Sequence, residues 1–402
     1  MKFHDVRKSI VCEFGGPAGR AIMDSMNSHS NRRAFVSSSI AALAASSALA
    51  APEQREIRTA MVGIGHRGTA LTGQVLRQEN VRVTAICDID AKARDAALTL
   101  TRRDNPRSFT EYRQVLDLKD VDAVIVATPC YLHAEIASAC LDAGKYVYCE
   151  KPLGITPEQV DLVLRAARRS KVFLQIGQQL RYFPGLREVI RQIREEHVLG
   201  EPFVIKAQRH STPIKPEAEQ ARPAWYKDVK LSGDLIVENA VHNLDVCNWV
   251  AGSRPESAFG HGKKYFPKPM PAGTLMMDGF SVEYVYENDM HLDYSQLYLH
   301  PRSLKELANG QWYMVFGEKG AINLEKGLFY QHGSEEVREL ITPALRDAGE
   351  DAMTQFYSAI RENRKPVADV TVAATAALTA IMGREAIYRR RMVTWKELGV
   401  TV

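Results

Sequence analysis

A doubly wound parallel α/β domain followed by an α+β domain with a large, mainly antiparallel open sheet is the architecture this sequence predicts. Three observations predict it. From Ile57 to about Ile176, strand-like apolar runs alternate with segments of helical period, which implies a parallel sheet covered by helices. Beyond Arg181 the runs "SVEYVYE", "MHLDYSQLYL", "QWYMVFG" and "GAINLE" alternate between short turns, as strands of an antiparallel sheet with one solvated or partner-covered face do. The 402 residues, 45% hydrophobic and 25% charged, suffice for two ordinary cores. A formal charge of +4, spread over 52 basic and 48 acidic residues without a long basic block, speaks against a nucleic-acid groove and for small polar ligands.

Residues 1–50 read as a leader. In "NRRAFVSSSIAALAASSALAAPEQ", paired Arg32 and Arg33 precede a modest Ala- and Ser-rich apolar run and the small-residue cleavage site Ala48-Leu49-Ala50. That succession predicts a twin-arginine (Tat) export signal, the Tat machinery as a partner, and a periplasmic or secreted protein. A disordered leader with a chance arginine pair is the alternative. Met1 and Met26 are both open as start codons, and the run is too short and too weakly apolar for a stable membrane span. Cys87, Cys130, Cys140, Cys149 and Cys247 follow the leader, an odd number without C-x-x-C, so neither a structural disulfide nor a cysteine metal site is expected.

The first domain, 51–180, holds the strand-like runs "IRTAMVG", "VRVTAICD", "DAVIVAT", "KYVYCE" and "KVFLQIG". After the first comes Gly63-x-Gly65-x-x-Gly68, with His66 and Arg67 between the second and third glycines. Gly63 permits a tight turn, Gly65 lets the backbone approach a pyrophosphate, and Gly68 allows close helix packing, with the helix N-terminus facing the phosphates. Asp88 closes the second run at the spacing of the acid that binds a ribose 2′-hydroxyl, and repels a 2′-phosphate, which favours NAD over NADP. Together these predict a Rossmann domain. Thr128 and Pro129 end "DAVIVAT" where a dinucleotide along the strand ends would pass; His133, one turn into the next helix, reads as a packing or capping residue and, with His66 and Arg67, is counted among the cofactor-binding candidates. "KYVYCEKPLG" is a strand end and its loop, placing Glu150, Lys151 and Pro152 where ligands bind in open α/β sheets. The helix after it starts at Thr156 as N-cap, with Pro157 at N1 and Gln159 at N3 in a capping-box pattern.

The second domain, 181–345, contains the Pro-rich loop Ser211 to Pro223, long enough to be a lid, and "SGDLIVENAVHNLDVCNWVAG". Glu238 and His242 are four apart, hence on one face if the segment is helical, and Asp245 is three further on. From spacing alone this set fits either hydroxyl chemistry or a metal site, although no second histidine-rich cluster completes a metal shell. Residues 346–402 read as C-terminal helices packing back on the two domains.

G-x-G-x-x-G, "ATPCYLH", "EKP" and "VHNLD", in that order and spacing, resemble the Gfo/Idh/MocA family of sugar and polyol oxidoreductases, from about Ile57 to Leu324. The resemblance implies that Glu150 and Lys151 lie beside NAD, with Lys151 between the nicotinamide and the substrate hydroxyl, and that the Lys151–Pro152 bond is cis. It implies that the acid-x-x-x-His pair supplies a hydroxyl-binding acid, Glu238, where the family has Asp, and a general base, His242. Arg181, Tyr182, Trp225 and Asp245 become substrate-side candidates, and no metal is expected. The large sheet resembles one that relatives use for dimer or tetramer contacts. The implied activity is NAD-dependent oxidation or reduction at a hydroxyl of a sugar, polyol or glycoside. Export implies a tightly bound cofactor regenerated in its own site, since no pool of free NAD exists outside the cytoplasm. A glycosidase similar to the NAD-dependent glycoside hydrolase family 109 meets the same condition. A binding protein without turnover is disfavoured by the presence of Lys151 and His242.

Overall fold

The computed structural model describes residues 55–215 and 220–402. The leader with its arginine pair therefore lies outside the described residues, as does the middle of the Pro-rich loop. Six parallel strands form the first sheet: β1 (Ile57–Val62), β2 (Val81–Cys87), β3 (Arg107–Phe109), β4 (Ala123–Val126), β5 (Tyr146–Cys149) and β6 (Leu174–Ile176), in the order β3-β2-β1-β4-β5-β6. β4, Ala-Val-Ile-Val, is buried along its whole length, as a central strand covered on both faces must be. β3 escapes sequence reading because it is three half-exposed or exposed residues at the sheet edge. The strand order reverses between β1 and β4, which opens a crevice at their carboxyl ends.

Helix Pro157–Arg169 starts where its sequence places it: Thr156 Oγ1 accepts a hydrogen bond from Gln159 N at 3.3 Å. The reciprocal arm is displaced by one residue, since Gln159 Oε1 accepts from Ile155 N at 2.8 Å. That bond anchors the loop running from Lys151 into the helix.

Nine strands form the second sheet: β7 (Pro202–His210), β8 (Pro255–Lys263), β9 (Gly279–Tyr286), β10 (His291–Leu297), β11 (Gly310–Gly317), β12 (Gly320–Asn323), β13 (Leu328–Gln331), β14 (Val337–Glu339) and β15 (Val393–Thr394). Their order is β14-β13-β12-β11-β7-β10-β9-β8-β15, antiparallel except for the β7–β10 pair. Alternation decides the faces: on β9, Val282, Tyr284 and Tyr286 point inward, while Ser281, Glu283 and Val285 point out. The inner face is covered by helices Val241–Ala251 and Val370–Arg389, with the buried hydroxyls of Tyr284 and Tyr286 donating to Thr379 O (3.1 Å) and Asn248 Oδ1 (2.9 Å).

Helix Val370–Arg389 is long and apolar enough to cross a membrane, and most of it is buried. It packs on β8, helix Val241–Ala251 and helix Pro157–Arg169, so its apolar surface is used in the core. From it, Arg384 donates to Ile155 O at 2.9 Å and ties the C-terminal helices to the loop after Lys151. All five described cysteines are free and buried.

Candidate active site

The crevice begins at the glycine loop. Gly63 has φ +88°, and a Cβ there would lie 2.7 Å from the Ala127 carbonyl. A Cβ at Gly68 would lie 2.0 Å from Gly63 O, so only glycine lets helix His66–Val75 close on the turn. Gly65 differs: a Cβ there would meet nothing within 4 Å, leaving its backbone open to a ligand. Asp88 is fixed at the end of β2, accepting from Ile64 N at 2.6 Å and Asp90 N at 2.9 Å. Beside it Ile89 is 89% exposed, an apolar ledge next to an acid. Across the crevice the buried Thr128 Oγ1 has no hydrogen-bond partner among the described residues. An open glycine backbone at a helix N-terminus, a fixed carboxylate, an apolar ledge and an orphaned hydroxyl fit a dinucleotide.

The remaining loop residues hold the crevice together. Arg67 donates from Nε to Glu150 Oε1 at 2.7 Å and from Nη2 to Gln179 Oε1 at 3.3 Å, while His66 stands exposed at the helix start. His133 opens helix His133–Asp142 after a 3₁₀ turn, 1% exposed, with Nε2 2.7 Å from Thr128 O and Nδ1 2.8 Å from Pro152 O. It pins the Thr128-Pro129 turn to the Lys151-Pro152 turn. Burial lowers its pKa against the pull of those two carbonyls.

Lys151 leaves the end of β5 ahead of a cis bond to Pro152. Its Nζ donates to Glu238 Oε1 at 2.7 Å and to Glu238 O at 2.5 Å, with 14% of the lysine side chain and 10% of the glutamate exposed. Glu238 Oε2 also accepts from the Tyr226 hydroxyl at 3.0 Å. Burial works against the Lys151 ammonium, but the Glu238 carboxylate holds its pKa above the ordinary value. Burial likewise opposes the carboxylate, and Lys151 and Tyr226 outweigh it, so both groups stay charged. Cys130 nearby is pushed up to about 12, by burial first and then by Glu238, and remains a thiol.

Glu238 and His242 do not share one continuous helix. Helix Asp234–Glu238 ends at the glutamate, the chain turns at Asn239 and Ala240, and helix Val241–Ala251 begins just before the histidine. Asp234 starts the first helix at φ +72°, in the left-handed region. Its carboxylate holds that conformation by accepting from Leu235 N and Met277 N, both at 2.7 Å, and from the Tyr388 hydroxyl at 2.6 Å. His242 Nδ1 lies 3.0 Å from Gln178 Oε1, and the Gln178 amide nitrogen donates to Val241 O at 3.4 Å. The amide oxygen therefore faces the ring, Nδ1 carries the hydrogen, and Nε2 is left as an acceptor. Burial, reinforced by Lys151, Arg209 and Arg67, holds the His242 pKa well below 6.5. At neutral pH the site offers a neutral base beside an ammonium.

Other sequence candidates lie apart from this group. Arg181 and Asp245 form a buried bidentate pair at 2.8 and 2.9 Å, and Arg181 also stacks over Trp249. Tyr182 is fully buried, its hydroxyl accepting from Ala368 N at 3.3 Å. Trp225 packs edge-on against Tyr226 and makes no hydrogen bond to Lys151, Glu238 or His242. The metal alternative fails on geometry, because Glu238 turns to Lys151, His242 to Gln178 and Asp245 to Arg181. Among the described residues no group of three or more His, Cys, Asp or Glu side chains could hold a metal ion. Gln178 and Tyr226 are the site residues that sequence reasoning missed. Gln178 follows the carboxyl end of β6, a position that could have marked it. A cleft of about 750 Å³ lined by Arg55, Asp122, Tyr146 and Arg361 opens instead at the amino ends of β1 and β5.

The model of the Gfo/Idh/MocA oxidoreductase family, NAD-binding Rossmann fold, matches residues 57–178, and that of its C-terminal alpha/beta domain matches 191–393. Inositol 2-dehydrogenase of Salmonella typhimurium is 29% identical over 224 residues, 55% of this chain and 61% of that protein. The 2,7-anhydro-N-acetylneuraminate hydratase of Escherichia coli is 27% identical over 201 residues, 50% of this chain and 51% of that protein. The matches thus span about half to three fifths of the curated relatives' length. Among solved structures, the WlbA dehydrogenase of Chromobacterium violaceum, in complex with NADH and UDP-GlcNAcA, superposes with a TM-score of 0.73 at 20% identity, covering 85% of this chain and 96% of that one. A levoglucosan dehydrogenase in complex with NADH and L-sorbose gives 0.69 at 17% identity, covering 86% and 100%. At such identities these two show a shared fold.

Proposed function

The chain belongs to the Gfo/Idh/MocA oxidoreductase family, and from that premise we propose that it oxidises a secondary hydroxyl of a sugar, polyol or glycoside with NAD. One observation carries the proposal: a neutral histidine with a free Nε2 and a charged lysine converge outside the carboxyl ends of the parallel strands, beside a dinucleotide cradle. Bound NAD supplies the hydride acceptor at its nicotinamide. His242 Nε2 takes the proton of the substrate hydroxyl, and Gln178 stabilises the imidazolium through Nδ1. Lys151 stabilises the developing alkoxide, and Glu238, held by Tyr226, aims the ammonium. The longer glutamate, where the family has aspartate, reaches Lys151 with both its carboxylate and its main-chain carbonyl. The names of the curated relatives, inositol dehydrogenases among them, support a polyhydroxylated substrate.

A second reading has one observation in its favour. Relatives named as hydratases support an oxidation, elimination, hydration and reduction cycle, in which the hydride returns and a glycosidic substituent is lost. The Arg32-Arg33 signal supports export, and export supports a cofactor retained and recycled in the site. Phe259, Val285 and Phe316, exposed on the outer face of β8, β9 and β11, support an oligomer through the large sheet.

The test is mass spectrometry of the denatured protein for released dinucleotide, followed by turnover of a panel of polyols and glycosides in heavy water. A stoichiometric keto product without deuterium at the neighbouring carbon supports the oxidoreductase. Deuterium there supports the hydratase-like cycle, and released NADP, or no dinucleotide, refutes the cofactor assignment.

A further inference from the structure

Among the described residues, the charges lining the site include one cation whose side chain meets no counter-charge. Lys151 is matched by Glu238 at 2.7 Å, and Arg67 by Glu150 at 2.7 Å. Arg209, half-buried on β7, makes no hydrogen bond or ion pair with any described residue through its side chain. Its register partners are Gln296 on β10 and Gln311 on β11. Both amides point inward: Gln296 donates to Asn239 Oδ1 at 2.8 Å, and Gln311 Oε1 accepts from Asn243 Nδ2 at 3.0 Å. Those asparagines flank the turn that carries Glu238 and His242, so Arg209 stands on the sheet surface beneath the reacting groups. The field of its guanidinium reaches His242, and reaches Tyr298 together with the fields of Glu238 and Lys151.

A half-buried guanidinium with no anion among the described residues is costly to keep in place, and it sits where the proposed substrate would bind. We infer that Arg209 is a specificity residue that pairs with a carboxylate of the substrate, so that the preferred substrate is a sugar acid rather than a neutral sugar or polyol. The inference rests on the reading of the Lys151–His242 site as the place where a hydroxylated substrate binds. A carboxylate fits better than a phosphate, because a single guanidinium neutralises one charge. A phosphate monoester carries about −1.5 to −2 and would leave surplus negative charge beside Glu238 and Glu150. The planar fork of arginine also matches a carboxylate with two parallel hydrogen bonds.

The experiment is calorimetric titration of the dinucleotide-loaded protein with D-glucuronate, D-galacturonate and D-gluconate, each beside its uncharged amide. The expected result is that at least one acid binds about tenfold to a hundredfold more tightly than its amide, the range for a charge-assisted pair. Arg209→Gln should remove that difference while leaving amide affinity within about twofold, and Arg209→Lys should restore part of it. Equal binding of acid and amide, a preference that survives Arg209→Gln, or binding of none of the acids would overturn the inference. Turnover separates the two levels of the argument. Acids bound through Arg209 without any hydride transfer would refute the proposed activity and leave this inference standing. Oxidation of neutral sugars with no preference for acids would do the reverse.

Discussion

Replacing His242 by asparagine removes a group whose protonation the fold opposes, and the consequence for stability can be worked out with its sign. In the unfolded chain the imidazole titrates near 6.5, whereas burial and the charges of Lys151, Arg209 and Arg67 hold it well below that in the folded protein. Below pH 6.5 the unfolded state therefore binds a proton that the folded state refuses. Stability from this residue is fully present above 6.5 and is lost as pH falls towards the folded pKa. A single such proton is worth about 1.4 kcal/mol per pH unit, so the wild type should lose about 1.4 kcal/mol from this source between pH 7.5 and 5.5. The His242→Asn variant should lack that increment, whatever its stability at pH 7.5. Urea unfolding of both proteins at both pH values isolates the term, because every other titrating group, including the similarly depressed His133, is common to the pair. An identical pH dependence in the two proteins would refute the neutral, half-buried His242 on which the base assignment depends.

Three further outcomes are expected. Gly65→Ala should leave stability nearly unchanged, since its Cβ meets nothing, yet weaken NAD binding; Gly68→Ala, with its Cβ 2.0 Å from Gly63 O, should destabilise the fold, so matched effects in a thermal and NAD-titration comparison would contradict the cradle. Asp88→Ala should lower NAD affinity and narrow the preference over NADP, and unchanged affinities by calorimetry would remove Asp88 from the ribose site. Glu238→Gln should leave the Lys151 ammonium without its counter-charge and cost about 3 kcal/mol in urea unfolding, at the low end for a broken buried pair because Glu238 O still accepts from Nζ. It should also reduce turnover at least about tenfold.

The first domain was legible because its signals are local. Short continuous apolar runs, the three glycines, Asp88 at the end of β2 and the Thr156 N-cap each declare themselves within a few residues. The same holds for Lys151, which the strand end and Pro152 mark on their own. What stayed hidden depends on contacts far apart in sequence. The orientation of His242 by Gln178 spans 64 positions, and so does the pairing of Arg181 with Asp245, which uses both side chains in an internal contact that sequence could not distinguish from a substrate subsite. The break at Asn239 and Ala240 was invisible because no proline or glycine announces it; it is imposed by the turn that brings Glu238 and His242 to Lys151 from two helices. Arg209 reads in sequence as an ordinary strand residue, and only the register of β7 between β10 and β11 places it under the site.

The measurement that bears most directly on the account is turnover and dinucleotide content of the Lys151→Met variant, assayed on whichever sugar, polyol or glycoside the wild type converts. Methionine keeps much of the side-chain length and packing but removes the ammonium that faces Glu238 and the reacting oxygen. The account predicts that turnover falls by about 10²-fold or more while the purified variant still releases a full equivalent of NAD on denaturation. Undiminished turnover would contradict it.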